Sequence, residues 1–303
     1  TGITANRSPA IQQPLDSPTG QCYERLRNCH IKDFSMFFHA HGIRLAYDDH
    51  GMGVPVVFLH AFPLNRSMWA PQVATLSSHF RTITLDFRGH GESDAPLWSF
   101  SLNHYADDVA ALLDHLAVPQ AILVGLSMGG YVSLAFSRQH RHRLLALVLA
   151  DTRAQADSPE GRTGRFHLAQ TAYGKGAGAV ADIMLPKLLG ATSLQHKPDL
   201  MEYIRQTIQQ TPVSGIVVDL MAMADRLDSV AQLQAITCPT LVVVGQEDFT
   251  TPHADAELMA REIPGARLAV IPAAGHVSNR EQPEVFNEVL RGFVEGLQKS
   301  HEA

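Results

Sequence analysis

Three residues far apart in the chain have surroundings that could do chemistry: Ser127, Asp248 and His276. Ser127 stands in Gly125-Leu126-Ser127-Met128-Gly129, after an apolar run at 121–124 and before a helix-like segment. A serine hydroxyl is a weak nucleophile until a base takes its proton. A strand turning sharply into a helix would expose the hydroxyl at the tip, and the first amides of that helix would face a developing negative charge. Gly125 and Gly129 lack a Cβ, so the backbone can fold tightly and the flanking elements can approach. The bland alternative is a serine in a glycine-rich loop. The strand-like run before it and the helical run after it favour the nucleophile.

A base and an orienting acid must then be found. The run 241–244 leads into Gly245-Gln246-Glu247-Asp248, and 270–271 leads into Pro272-Ala273-Ala274-Gly275-His276. Each candidate follows a strand, so both belong on the strand end that carries Ser127. The chain order serine, acid, histidine is the order of a sheet-borne nucleophile-elbow triad. His276 would take the serine proton and return it to the leaving group, and Asp248 would hold the imidazole tautomer. Glu247 is a rival acid, with capping of a surface helix as its competing role. Asp151, after the run 144–150, is a second rival and could instead cap the segment that follows. A tetrahedral intermediate needs two amide donors. One is expected from Met128 and the other from Phe62, in the loop His60-Ala61-Phe62-Pro63 after the run 54–59. His60 itself reads as a hydrogen-bonding structural residue rather than a base.

The elements that must position these groups alternate. Strand-like runs fall at 34–38, 43–48, 54–59, 81–85, 121–124, 144–150, 240–244 and 268–271. Helical patterns fall at 67–76 with Ser67 as N-cap, 101–116 with Ser101 as cap, 128–140 and 283–297. Strands that are apolar throughout and alternate with helices imply a parallel sheet covered on both faces. Ligands in such sheets bind beyond the carboxyl ends of the strands. Between about 152 and 235 the alternation stops, and glycine-interrupted helical sequence replaces it. This reads as a helical cap inserted into a core formed by 31–151 and 236–303. Residues 1–30, with Pro9, Pro14 and Pro18 among polar residues, read as a mobile tail.

The whole chain excludes several classes. Its 303 residues carry 24 basic and 30 acidic side chains, a formal charge of −6, without a basic block, which argues against a nucleic-acid partner. No apolar run reaches membrane-spanning length. Cys22, Cys29 and Cys238 do not make a disulfide framework; Cys22 and Cys29 could pair in an oxidising compartment but read first as two exposed thiols in the tail. The pairs His39/His41 and His140/His142 lack neighbouring ligands for a metal site. Trp69, Trp98 and Met221 to Met223 read as core. A cytoplasmic location is expected, although the start at Thr1 leaves room for a leader removed upstream.

From about 34 to 293 the chain resembles the α/β-hydrolase fold superfamily. The resemblance rests on 59–63, on Asp86-Phe87-Arg88-Gly89-His90-Gly91-Glu92-Ser93, on 125–130, on 245–248 and on Gly275-His276. Within it, the stretch from Gly275 to Pro283 and the inserted helices resemble 3-oxoadipate enol-lactonases and related small carboxylesterases. The resemblance implies an eight-stranded sheet, a cap between its sixth strand and the strand before the acid, and no cofactor. It departs at His60-Ala61, where relatives usually have His-Gly, and a differently shaped oxyanion hole is expected. The leading function is hydrolysis of a small ester or lactone through an acyl-enzyme on Ser127. If the substrate carried a carboxylate, as 3-oxoadipate enol-lactone does, Arg153, Arg162 and Arg165 would be candidate cations, although exposed arginines are commoner. A general carboxylesterase is therefore preferred to a committed lactonase. Cofactor-free haloperoxidases, carbon–carbon bond hydrolases and aminopeptidases share the serine triad, a haloalkane dehalogenase would need aspartate at position 127, and a ligand receptor could share the fold without the chemistry.

Overall fold

The computed structural model describes residues 36–95 and 100–302. The expectations for the tail, Cys22, Cys29 and Trp98 lie outside these residues. In chain order the strands are β1 (Met36–Ala40), β2 (Ile43–His50), β3 (Pro55–Leu59), β4 (Arg81–Leu85), β5 (Ala121–Leu126), β6 (Leu144–Ala150), β7 (Thr240–Gly245) and β8 (Arg267–Ile271). The helices of the core are α1 (Ala70–Leu76), α2 (Leu102–His115) and α3 (Met128–Gln139). Four more lie between β6 and β7: α4 (Pro159–Leu188), α5 (Ala191–His196), α6 (Pro198–Gln210) and α7 (Val213–Ala224). The chain closes with α8 (His253–Glu262), α9 (Ser278–Glu281) and α10 (Pro283–Glu302).

One eight-stranded sheet has the order β1-β2-β4-β3-β5-β6-β7-β8. The β1–β2 and β2–β4 pairs are antiparallel, and every other pair is parallel. The connection from β3 steps left to β4, whereas β5 steps right to β6. With right-handed crossovers this reversal places α1 and α2 on opposite faces. Helix α1 packs on α10, and α2 packs on α3. The reversal also opens a crevice between the carboxyl ends of β3 and β5, the place where such sheets bind ligands.

Strand β5 is buried along its whole length. Its residues Ile122, Leu123, Val124 and Leu126 are each at most 1% exposed. Removal of each such side chain from water contributes about 1.5–3 kcal/mol. The strand that delivers Ser127 is therefore firmly anchored in the sheet.

Three differences from the sequence reading have local causes. The first strand begins at Met36, within the described residues, and runs two residues beyond the expected end. The helix expected from Ser67 is split: a 3₁₀ turn, Arg66–Trp69, precedes α1 because Pro71 fits only in the first turn of a helix. Its N-cap is Asn65, whose side chain accepts from the Ser67 amide at 3.0 Å. Helix α8, between β7 and β8, was not expected. Its buried Ala256 and Met259, followed by Ile263, lie at helical spacing and could have revealed it. Ser101 does stand at the N-cap of α2, and His104 reaches back to its amide. Trp69 is fully buried against Phe58. Met223 is buried, and Met221 is half-buried against the core.

Candidate active site

Ser127 occupies the single residue between β5 and α3, with φ +55° and ψ −112°. A non-glycine residue in this region costs about 1–3 kcal/mol. The surroundings hold it there. The Ser127 amide donates to the Ala150 carbonyl at 2.9 Å, and the Thr152 hydroxyl donates to the Ser127 carbonyl at 2.8 Å. The turn tolerates no side chain at its flanks. A Cβ on Gly125 would lie 2.3 Å from the Gly129 carbonyl oxygen, and one on Gly129 would lie 2.1 Å from that of Leu59.

The three residues read as a triad meet. Ser127 Oγ lies 2.8 Å from His276 Nε2, and His276 Nδ1 lies 2.8 Å from Asp248 Oδ2. Asp248 is tied down on its other side: Oδ1 accepts from the Thr250 and Thr251 amides, and Oδ2 accepts from the Thr251 hydroxyl at 2.6 Å. All three triad side chains are buried, Ser127 retaining 8% exposure. Burial alone would push the His276 pKa down. The Asp248 charge and hydrogen bond, with a smaller contribution from Asp151, outweigh it and hold the imidazole above its ordinary value. Burial likewise opposes ionisation of Asp248, and the facing His276 with the Thr251 donors overcomes it, so this carboxyl titrates below the usual range. The arrangement can take a proton from a hydroxyl and stabilise the resulting imidazolium.

Residues 59 and 125 are paired neighbours in β3 and β5, so Phe62 and Met128 each stand three residues beyond that level. Among the described residues neither amide donates to a protein acceptor. Phe62 also borders a cleft of about 520 Å³, whose walls include Tyr131 and Leu220 and the charged Arg153, Asp157, Arg165 and Lys187. Arg153 and Arg165 thus line the cleft, although Arg165 also pairs with Asp157 and Arg153 with Asp255. Arg162 does not line it and forms an exposed pair with Asp225 instead. Lys187, which the sequence reading passed over, is exposed and has no carboxylate partner among the described residues.

The family model described as alpha/beta hydrolase fold matches residues 54–283. The chain belongs to this α/β-hydrolase family. It is 32% identical over 251 residues to 3-oxoadipate enol-lactonase 1 of Acinetobacter baylyi, covering 80% of this chain and 89% of that protein. Among solved structures it resembles a thermophilic esterase from Thermogutta terrifontis with malate bound, at 41% identity and a TM-score of 0.84, covering 87% of this chain and 98% of that one. It also resembles the enol-lactonase from Burkholderia xenovorans at 31% identity and a TM-score of 0.81, covering 86% and 100%.

In this α/β hydrolase the alternative acids have other employment. Asp151 is fully buried. Its Oδ1 accepts from the Gly245 amide at 2.8 Å, and its Oδ2 accepts from the Ser278 amide and hydroxyl. Burial and the nearby Asp248 charge hold this carboxyl well above the usual range. Glu247 accepts from the Thr192 amide at 2.9 Å and from its hydroxyl, at the first turn of α5. That is the helix-capping role expected of it.

His60 is also structural. Its Nδ1 donates to the Ala61 carbonyl at 3.0 Å while Nε2 accepts from the Phe87 amide at 3.0 Å, so the ring is neutral with a fixed tautomer. Burial, then the adjacent His90, pushes its pKa well down. Ala61 does not have a positive φ, so alanine at this position introduces no left-handed strain. The Asp86-to-Ser93 motif is scaffold: Asp86 accepts from the Arg66 and Glu92 amides, and Arg88 pairs with Asp108 out of water. Of the paired histidines, His140 pairs with Asp107 and His41 with Asp108.

Proposed function

We propose that the protein hydrolyses small carboxylic esters or lactones through an acyl-enzyme on Ser127. The observation that carries this reading is the continuous hydrogen-bonded line from Ser127 Oγ through His276 to Asp248, at 2.8 Å for each link. His276 Nε2 takes the hydroxyl proton as Oγ attacks the carbonyl carbon. The Phe62 and Met128 amides receive the developing oxyanion, and their lack of protein acceptors leaves both free for it. Collapse expels the alcohol, which collects the proton from His276. A water then repeats the sequence on the ester carbonyl and frees the acid. For a lactone the expelled alcohol remains part of the same molecule. The insertion 152–235 serves as a cap that closes the cleft from above.

The relatives named for enol-lactonase and esterase activity support an ester or lactone bond over other bonds cleaved on this fold. The cations bordering the cleft favour a substrate that carries a carboxylate besides the scissile bond. A general carboxylesterase remains the preferred reading, because Arg153 and Arg165 are already paired with carboxylates. The test is turnover of p-nitrophenyl acetate and butyrate, and of a panel of lactones, by the native protein and by Ser127→Ala. Native turnover with loss of about 10⁴-fold or more in the variant is expected. Turnover unchanged by the substitution, or none in the native protein on any substrate of the panel, refutes the proposal and in the second case leaves a binding protein.

A further inference from the structure

His276 is held through its backbone as well as through its imidazole. Its amide and that of Val277 both donate to the Leu188 carbonyl, at 3.1 and 3.2 Å. Leu188 is the last residue of α4, so the loop that carries the candidate base hangs from the inserted helices. Next to this contact sits a carboxylate that takes no part in the proposed chemistry. Glu281, in α9, is fully buried. Its Oε2 accepts from the Gly190 amide at 2.8 Å, and its Oε1 accepts from the Gly275 amide at 2.8 Å and the Val277 amide at 3.3 Å. Gly275 and Val277 bracket His276. Gly190 begins the corner between α4 and α5, whose second residue Thr192 is held by Glu247 beside Asp248.

We propose that Glu281 is a positioning residue: by receiving three backbone amides it joins the α4–α5 corner of the insertion to the two neighbours of His276, so that the corner and the imidazole keep one relative position. The proposal rests on His276 being the base of the reaction. Burial pushes the Glu281 carboxyl above its ordinary range, and the three amides directed at its two oxygens work against that, favouring the ionised, acceptor-only form. Burying that charge is costly unless donors surround it. A carboxylate used only as filler would not be kept at this cost, since an apolar residue of like shape would pack more cheaply. Hydrogen bonds to a charged group are about twice as strong as neutral ones, which makes this a firmer tie than the amide–carbonyl bonds to Leu188 beside it. The insertion thereby does more than shape the cleft. Its α4–α5 corner is part of the frame that sets the distance from His276 to Ser127.

The variants are Glu281→Gln, which keeps the shape but replaces one accepting oxygen with an NH₂ donor facing an amide, and Glu281→Ala. Each is measured for fraction folded, for kcat and KM on p-nitrophenyl butyrate, and by proton NMR for the downfield resonance of the His276 Nδ1–H bonded to Asp248. Expected are folded proteins with kcat reduced by about 10²-fold per folded molecule, KM within about twofold, and a His276 resonance shifted or broadened. A displacement of about 1 Å at the base suffices for such a loss. Unchanged kcat per folded molecule, a change confined to KM, an unmoved resonance, or failure of both variants to fold would each make Glu281 a stability residue only and overturn the proposal. The resonance reports the imidazole whether or not esters are turned over. A failed hydrolysis reading, seen in the native protein, is thus distinguishable from a failed positioning role.

Discussion

The strand ends and the inserted helices are built by opposite rules. Beyond the ends of β5 to β8 the polar groups of the candidate relay and its supports are buried and have fixed partners: Ser127, Asp151, Asp248, His276 and Glu281 all lie at 8% exposure or less. Along α4 the side chains are mixed, with Tyr173 87% and Phe166 42% exposed, and the helix is broken at Gly176, where φ is +79°. The two regions meet at the α4–α5 corner and again where Asp219 of α7 receives the Tyr105 hydroxyl beside His90. The difference teaches where chemistry and choice reside. A proton relay needs groups held to a fraction of an ångström, which only a packed interior supplies. Substrate choice needs only a wall of suitable charge and shape, and the exposed face of a surface helix, away from its end at Leu188, can vary that wall without disturbing the relay.

The comparison breaks most sharply at Asp248. Asp248→Asn keeps the shape but removes the charge that steadies the imidazolium, and kcat should fall by about 10⁴-fold while KM barely changes. The pH profile gives an independent reading. In the proposed mechanism the rate requires neutral His276, and its pKa is held above the ordinary value of about 6.5, so activity should rise with pH through a midpoint above that value. Removing the Asp248 charge removes the main cause, and the residual activity of the variant should have its midpoint displaced toward acid. A rate near normal, or a midpoint that does not move, would hand the role to Asp151 or Glu247.

A smaller effect belongs to the wall. Lys187→Met should raise KM about fivefold, the equivalent of about 1 kcal/mol, for an ester bearing a free carboxylate, and leave a neutral ester unchanged. Equal effects on both esters, compared by steady-state kinetics, would detach the cleft cations from substrate choice. The smallest effect is at Arg162, whose partner Asp225 is 70% exposed with the pair reaching into solvent. Arg162→Ala should alter neither kcat nor KM and should move Tm by no more than about 2 °C. A larger shift in a thermal melt would mean that this helix face is bound more tightly to the core than its exposure implies.

Much of the core was legible because its signals are local. The run 144–150 is an uninterrupted apolar strand, and β6 occupies those seven residues. Ser127, Asp248 and His276 each follow a strand, so their common edge could be inferred without knowing the sheet order. The hidden parts depend on partners distant in sequence. Glu281 looks like one more acid before a proline-led helix, and its meaning lies in an amide 91 positions away at Gly190. Lys187 resembled any surface lysine until α4 was laid beside Phe62. Ser67 is expected as the N-cap, yet Asn65 holds that place, because the 3₁₀ turn that precedes α1 starts the helical path two residues earlier.

The central claim is that one hydroxyl is activated by one imidazole, and trapping tests it most directly. A p-nitrophenyl phosphonate should release one equivalent of p-nitrophenol, and peptide mapping by mass spectrometry should find the phosphonyl group on Ser127, with labelling abolished in Ser127→Ala and slowed by orders of magnitude in His276→Ala. An adduct on another residue, or labelling of Ser127 at the same rate without the imidazole, would contradict it.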